Sequence, residues 1–286
     1  MNAGARVDQN DQKKNPQDFA LWKKTEKGIK WDSPWGEGRP GWHIECSAMI
    51  KKHLGDTIDI HGGGQDLIFP HHENEIAQSE AANGCTLANF WVHNAFVNVD
   101  GEKMSKSLGN FFTIRDIVEH FPYAVIRFFI LSGHYRMPIN FSDELLRSAQ
   151  NGLTRITTCV NNLKFILDSN PASTTNATAE EQELIDAVNK AGEDFINCMD
   201  DDLNTADAIT AIFNLVRAAN AAMAANVPSV SLKVAYDKLV ELTDVLGIET
   251  TEDEGNGIPA EVMDMVNQRA EAKKAKNFAL ADELRN

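Results

Sequence analysis

The chain has 286 residues, 43% of them hydrophobic. At about 100–200 residues per domain this is enough for two domains with real cores, which excludes a mini-protein and a wholly disordered chain. The net charge of −15, from 42 acidic and 27 basic residues, argues at first sight against a nucleic-acid-binding protein. The acidic excess lies in the second half, since residues 1–142 hold 15 basic and 17 acidic residues (net −2) and residues 143–286 hold 12 and 25 (net −13).

Four segments with different patterning follow one another along the chain. Residues 1–17 are polar and lack apolar periodicity, which predicts a linker or the edge of a fragment. Residues 18–142 alternate short apolar runs with glycine turns, which is typical of an α/β domain. In residues 143–250 apolar side chains recur at intervals of three and four, which predicts a bundle of amphipathic helices. Residues 251–286 are expected to form a linker and a last helix that begins near Pro259.

The helices of the predicted bundle have recognisable ends. The first spans roughly residues 143–168, and Thr178 has the capping-box spacing that begins the second. Apolar residues between 209 and 216 mark the third helix and those between 232 and 246 the fourth. Gly247 then occupies the position just past a helix end that glycine favours.

The sequence also bears on the protein's compartment. Four cysteines are too few for a disulfide scaffold, and no cationic stretch followed by an apolar run opens the sequence. The longest apolar run, near residues 124–131, contains Arg127 and is far shorter than the roughly 20 residues of a membrane span. We therefore expect a cytoplasmic protein with reduced thiols and no membrane association.

Cys46, His71 and Glu75 form the first candidate site. If Pro70 begins a helix, His71 and Glu75 share one face of it, while Cys46 could come from a separate strand or turn. A thiolate, an imidazole and a carboxylate together suit Zn²⁺. The spacing fits a structural alternative equally well, in which Cys46 is a small buried hydrophobe and the histidines cap a helix.

Two glycine-flanked segments could contact a ligand. Residues 103–107 read Lys-Met-Ser-Lys-Ser, a cationic loop suited to neutralising a phosphate chain, although a solvated turn is the commoner explanation. His61 and three glycines follow a predicted strand at residues 58–60, where a ligand could approach the backbone closely, or where the chain simply turns. Trp42 would place an aromatic face near Cys46, although a core tryptophan is the usual explanation.

Four strings, in this order and spacing, resemble the cysteinyl-tRNA synthetases, which are class I aminoacyl-tRNA synthetases. They are Gly-Trp-His-Ile-Glu-Cys-Ser-Ala-Met (41–49), Ile-His-Gly-Gly-Gly (60–64), Asp-Leu-Ile-Phe-Pro-His-His-Glu-Asn-Glu (66–75) and Lys-Met-Ser-Lys-Ser-Leu-Gly-Asn (103–110). The helical half, with Met-Asp-Asp-Asp-Leu-Asn-Thr at 199–205, is similar to the family's DALR-type tRNA-binding bundle. The resemblance implies an α/β plus all-α fold: part of the class I nucleotide-binding (Rossmann-like) domain, followed by an α-helical DALR-type bundle.

The resemblance also implies a zinc site and an amino-acid pocket. Cys46, His71 and Glu75 match three of the family's four zinc ligands, and the single zinc ion of that family grips the thiolate of the substrate. Such a contact would reject serine, because a soft sulfur ligand binds Zn²⁺ far better than a hydroxyl does. Trp42 and His61 match residues around the cysteine pocket.

The ATP contacts implied by the resemblance lie near the lysine-rich loop. Lys106 matches the family's ATP-contacting lysine, with Lys103 assisting it in catalysis, and Asp66 is expected to contact the ribose. The implied reaction is the activation of L-cysteine by ATP with Mg²⁺, followed by transfer to tRNA(Cys). We expect a monomeric cytoplasmic enzyme.

Two departures from the family lead us to expect a fragment. The family's N-terminal His-Ile-Gly-His-type element is missing, and so is the first zinc cysteine. The chain also stops at residues 281–286, where the family continues into a small anticodon-reading domain. None of the eight histidines, at positions 43, 53, 61, 71, 72, 93, 120 and 134, belongs to a His-Ile-Gly-His-type element. We therefore expect a chain that cannot activate cysteine by itself.

Two other functions stay open. A cysteine ligase of mycothiol synthesis uses a similar zinc pocket and loop, although the long helical bundle favours the tRNA enzyme. A non-catalytic tRNA-binding module derived from a synthetase would bind tRNA without adenylation. If the acidic half docks tRNA, its basic residues must gather on one face, because tRNA would meet only that face.

Overall fold

The structure is a computed structural model that describes residues 13–99, 101–105, 109, 112–169 and 178–250, with six single positions between 265 and 280. Lys106, the start of the predicted linker and most of the predicted last helix lie outside these residues. The chain divides into two compact units, Met1–Phe121 with Ile130–Leu146 and Pro122–Phe129 with Arg147–Asn286. The four sequence-based domain boundaries stay predictions.

The first unit opens with a two-stranded ribbon and continues into a β–α–β arrangement. Its elements are β1 (Trp22–Lys24), β2 (Gly38–Pro40), α1 (Trp42–His53), β3 (Ile58–Gly64), α2 (Glu73–Asn83) and β4 (Ala88–Asn94). β1 and β2 are antiparallel, whereas β3 and β4 run parallel with His61 opposite Trp91. Parallel neighbours need a crossover connection, and the segment containing α2 supplies it.

The remaining strands of this unit form a second sheet. β5 (Val97–Val99) pairs with β6 (Glu102–Lys103) in an antiparallel hairpin and with β7 (Ile139–Phe141) in parallel. The short helix α3 (Ile114–Ile117) begins at a capping box formed by Thr113 and Asp116. The hairpin therefore delivers Lys103 at the end of β6, where the lysine-rich loop begins.

The strand before the glycines is longer than the sequence indicates. β3 continues from Ile58 through Gly64, so the prediction of a strand ending at residue 60 is wrong. Gly62, Gly63 and Gly64 pair with β4 and do not form a turn. A Cβ atom at Gly63 would lie 3.0 Å from the His72 ring, so glycine here lets that ring pack against the strand.

Cys46 lies within α1, so the expectation of a separate strand or turn is wrong. The helix begins directly after Gly41, where a Cβ atom would lie 2.0 Å from the carbonyl oxygen of Ala20. Any side chain at this position would clash with the backbone, so only glycine fits where the chain passes from the ribbon into α1. The helical backbone predicted to start at Pro70 is present, since Phe69 is extended (φ −136°, ψ 131°) and residues 70–72 form a helical turn that leads into α2 at Glu73.

The second unit is helical. It contains most of α4 (Tyr123–Leu131) and of α5 (Asp143–Ser169), and all of α6 (Ala179–Asp200), α7 (Thr205–Ala224) and α8 (Ser229–Val245). α6, α7 and α8 pack against one another around fully buried side chains such as Leu184, Ile212 and Leu239. The predicted capping box is confirmed, since the backbone N–H of Glu181 donates to Thr178 Oγ1 at 3.2 Å. In the described part of the chain no helix is long and apolar enough to cross a bilayer.

Candidate metal and substrate site

The three candidate metal ligands converge on one point. One ligand atom each of Cys46, His71 and Glu75 lies within 4.8 Å of the other two. Cys46 comes from α1, His71 from the turn that precedes α2, and Glu75 from the first turn of α2. His71 Nε2 lies 2.6 Å from Glu75 Oε1, as the four-residue spacing along a helix allows.

Glu75 is the centre of this cluster and is only 1% exposed. Burial raises the pKa of its carboxyl group to about 7, and a hydrogen bond with the Cys46 thiol opposes the rise. Glu75 Oε2 lies 2.8 Å from His61 Nε2 but accepts no well-aligned hydrogen bond from any described residue. A buried carboxylate oxygen without a donor is costly, and a bound cation would satisfy it.

The Cys46 thiol is the softest donor of the cluster. Burial, and next the charge of Glu75, raise its pKa to about 11. A divalent cation would reverse this effect, because metal ligands bind in their deprotonated forms. Sulfur, imidazole nitrogen and carboxylate oxygen are the ligands that zinc takes in proteins, so the residues present fit a zinc ion.

Three more histidine rings, those of His43, His72 and His93, lie near these ligands. His43 Nδ1 lies 2.7 Å from His71 Nδ1, and His72 Nδ1 lies 2.8 Å from His93 Nε2. Burial is the largest cause that lowers the pKa of each of these rings, to about 4 in His72. The neutral forms are therefore favoured, and each neutral ring can donate with one nitrogen and accept with the other.

The cluster holds a second set of possible ligands that the sequence did not predict. Ligand atoms of His61, His72 and Glu75 also lie within 4.8 Å of one another. Predicting this set would have required the strand register. In that register His93 of β4 lies opposite Gly63 of β3, and the glycine leaves room for the His72 ring. Sequence spacing alone does not give that register.

Two predicted pocket residues flank the cluster. The Trp42 side chain is 58% exposed, and its ring centroid lies 4.3 Å from that of His71, so it is not a core tryptophan. His61 is partly buried on β3, with its ring 4.7 Å from that of Trp91. An open aromatic face beside buried polar groups can receive a small amphipathic molecule.

Lys103 and Asp66 meet outside the carboxyl end of β3. The Lys103 Nζ atom lies 3.8 Å from Asp66 Oδ2 and 3.7 Å from the centroid of the Phe96 ring. An ammonium over an aromatic face is held there by the ring quadrupole. Strand carboxyl ends are where α/β folds bind ligands, so the ammonium is placed to meet an anionic one. No motif in the sequence singles out Phe96.

Comparison with known proteins relates this geometry to a family. The family model described as tRNA synthetases class I (C) catalytic domain matches residues 1–151, and the DALR domain model matches residues 194–250. The cysteine–tRNA ligase of Brevibacillus brevis is 53% identical over 288 residues, and that of Clostridioides difficile is 49% identical over 286. Each match covers 100% of this chain and 61% of the relative.

A solved structure supports the fold alone. The LeuRS–tRNA–LeuAMS ternary complex of Agrobacterium radiobacter K84 aligns with a TM-score of 0.59 at 19% identity, and the match covers 75% of this chain and 31% of that one. Together these matches confirm the resemblance drawn from the four motifs and the predicted α/β plus all-α fold class. The chain spans about three fifths of the length of the curated relatives, as their 61% coverage states.

Proposed function

Because the chain belongs to the class I (C) tRNA synthetase family, we propose that it contributes the zinc-dependent cysteine site and the tRNA-binding bundle of a cysteine–tRNA ligase. The proposed reaction is the activation of L-cysteine by ATP and its transfer to tRNA(Cys). The observation that carries the proposal is the convergence of Cys46, His71 and Glu75 beside the exposed face of Trp42.

The amino-acid site would work through its buried donors. Cys46, His71 and Glu75 would hold zinc, which when bound would supply a soft Lewis acid that prefers a thiolate to a hydroxyl. His71 would lie on one oxygen of Glu75 and His61 beside the other, at the distances of 2.6 Å and 2.8 Å that the structure shows. The Trp42 ring would cover the bound side chain. Discrimination against serine then needs no editing, because sulfur and oxygen differ so strongly as ligands.

The nucleotide contacts would involve Lys103, Asp66 and Lys106. We assign Lys106, with Lys103 assisting it, to the phosphates of ATP bound with Mg²⁺, because an ammonium can neutralise charge that develops there. Asp66 would contact the ribose. Its ion pair with Lys103 would open when the lysine binds the phosphates. The approach of Asp66 to Lys103 supports a shared location for the two side chains.

The tRNA partner is favoured over the two alternatives. The DALR match over residues 194–250 and the names of the curated relatives support a tRNA ligase over a mycothiol-pathway ligase. A non-catalytic module would not need the convergent donors around Glu75. We further propose that the protein acts in the cytoplasm as a monomer.

Elemental analysis tests the metal site. We expect about one zinc ion per chain, and more than about 100-fold weaker binding in Cys46→Ser and His71→Ala, since losing a residue that only hydrogen-bonds to a metal ligand already costs about 10–100-fold. Cys85→Ser is the matched control, because Cys85 is exposed and lies outside the ligand cluster. The zinc-loaded chain should retain radiolabelled L-cysteine in preference to L-serine. Zinc content unchanged by either substitution would overturn the assignment.

A further inference from the structure

The ribbon formed by residues 21–40 exposes large apolar side chains that no described residue covers. Ile29 is 77% exposed, Trp31 55% and Trp35 76%. The Trp35 ring lies 6.5 Å from that of Trp22, whose Nε1 donates to the Gly36 carbonyl at 3.2 Å. Clustered exposed aromatic residues of this kind mark an interaction surface.

The same segment is a basic island in an acidic chain. Residues 21–40 hold five basic and three acidic residues, a net charge of +2 against −15 for the whole chain, and one of these cations, Lys30, pairs with Glu37. Lys23 lies directly opposite Arg39 in the ribbon, and such like-charge pairs are destabilising unless an anion compensates them. Among the described residues, no carboxylate lies within ion-pair distance of Lys23, Lys24 or Arg39.

The cations of the helical bundle differ. Lys190, Lys233 and Lys238 each form an ion pair with an acidic residue three or four positions further along the same helix. Their charge is therefore largely neutralised locally. Charge complementarity to a polyanion is stronger at the ribbon than at these three helix positions.

We propose that the ribbon binds single-stranded RNA, with bases stacked on Trp31 and Trp35 and phosphates held by the surrounding lysines and arginine. Aromatic platforms bordered by cations bind single strands in this way. The ribbon is joined to the amino-acid site, because the Gly41 N–H donates to the Leu21 carbonyl at 2.8 Å and α1 starts at Trp42. The RNA is assigned as the unpaired 3′ end of tRNA, a step that rests on the proposed function.

Binding of a fluorescein-labelled single-stranded oligoribonucleotide ending in CCA tests the proposal. We expect a Kd of about 1–100 µM at physiological salt. Trp35→Ala should weaken binding at least about fivefold, and Trp31→Ala by a similar factor, because stacking contributes in that range per base. Phe90→Ala is the matched control, since Phe90 is 68% exposed on β4, outside the ribbon and the bundle, and should leave binding unchanged.

Charge reversal gives a second measurement. Lys24→Glu should weaken binding and reduce the slope of log K against log salt by about 0.7 for each phosphate that the ribbon no longer neutralises. Lys52→Glu is the control of equal charge change, because Lys52 is exposed in the last turn of α1, outside the ribbon and the bundle. A tRNA transcript lacking its unpaired 3′ nucleotides should bind the wild-type ribbon more weakly than the complete transcript does.

Three outcomes would overturn the proposal: absence of RNA binding, equal loss in the ribbon and control variants, or self-association that the ribbon substitutions abolish. The last would show that the ribbon is a protein interface. Zinc content is measured on the same samples. A ribbon variant that loses RNA but keeps zinc supports the inference, whereas absence of zinc with RNA binding intact contradicts only the proposed function.

Discussion

At the scale of single residues, one buried carboxylate organises the candidate site. Glu75 approaches His61 with one oxygen and His71 with the other, and burial together with this charge keeps the Cys46 thiol protonated. A negative charge on the buried Glu75 carboxylate costs free energy when no cation neutralises it and is favourable when a cation does. The residue types around Glu75 are therefore those that the proposed metal site requires.

The four cysteines should differ in reactivity for physical reasons that the structure supplies. Cys159 is 1% exposed, and burial raises its pKa to about 11, whereas Cys85 is exposed. The thiolate is the nucleophile, so iodoacetamide near neutral pH should modify Cys85 first and leave Cys159 unmodified in the folded chain. Zinc should protect Cys46.

Mass spectrometry of the alkylated peptides gives the measurement. The same labelling in guanidinium chloride is the control, because all the thiols then become accessible. Native labelling of Cys159 as fast as that of Cys85 would contradict the burial described above. Labelling of Cys46 that is indifferent to added zinc would contradict its role as a ligand.

At the scale of secondary-structure elements, the helices that bury a stripe were predictable. α5 spans Asp143–Ser169 against a prediction of 143–168, and α6 begins at the predicted capping box. α1 was not predicted, because it buries only Ser47 and Ile50 and so shows no apolar period. Tertiary contacts place it, and a single sequence does not reveal those contacts.

The full length of β3 also could not be predicted from the sequence, because it depends on a tertiary contact. Glycines after an apolar run usually indicate a turn. Here Gly63 stays in the strand because the His72 ring occupies the space of its side chain, a contact between residues on different elements. The candidate ligands could be chosen from residue type and spacing, but the surrounding histidines depend on this packing and could not.

The end of α8 is held by a contact that can be tested. Arg127 Nε donates to the Leu246 carbonyl at 2.8 Å, and Gly247 adopts a left-handed φ of 61°. A Cβ atom at Gly247 would lie 2.7 Å from the guanidinium of Arg127. We expect Gly247→Ala to lower the free energy of unfolding by about 1–2 kcal/mol, because it adds left-handed strain and displaces that guanidinium.

Urea denaturation of four proteins tests this coupling: the wild type, Gly247→Ala, Arg127→Ala and the double variant. Arg127→Ala should cost about 1 kcal/mol because it removes the hydrogen bond to Leu246. The double variant should be less destabilised than the sum of the single variants, since the displaced guanidinium is already absent. Strict additivity would show that the two residues act independently.

At the scale of the whole molecule, net charge is a poor guide to where RNA could dock. The half with a net charge of −13 contains the DALR match, yet three of its lysines pair along their own helices. The predicted basic face of the bundle stays a prediction. The ribbon at residues 21–40 offers a second surface with a net positive charge, and electrostatic attraction depends on the local field rather than on the net charge of the whole chain.

The two units should respond differently to zinc, and the chain contains a built-in reporter for each. All five tryptophans, at positions 22, 31, 35, 42 and 91, lie in the first unit, whereas α5–α8, the four longest helices among the described residues, dominate the far-ultraviolet circular dichroism. A ligand that binds only the folded first unit stabilises that unit by about 2.7 kcal/mol at 100 times its Kd. Zinc should therefore raise the midpoint of the tryptophan-fluorescence transition by several degrees.

The helical transition at 222 nm should stay within about one degree, because the proposed ligands all lie in the first unit. Cys46→Ser should abolish the shift in fluorescence, while Cys85→Ser should keep it. If both transitions rose equally, the units would unfold as one cooperative body. If neither rose, the three ligands would not form a metal site, since any ligand that binds the folded unit alone must stabilise it.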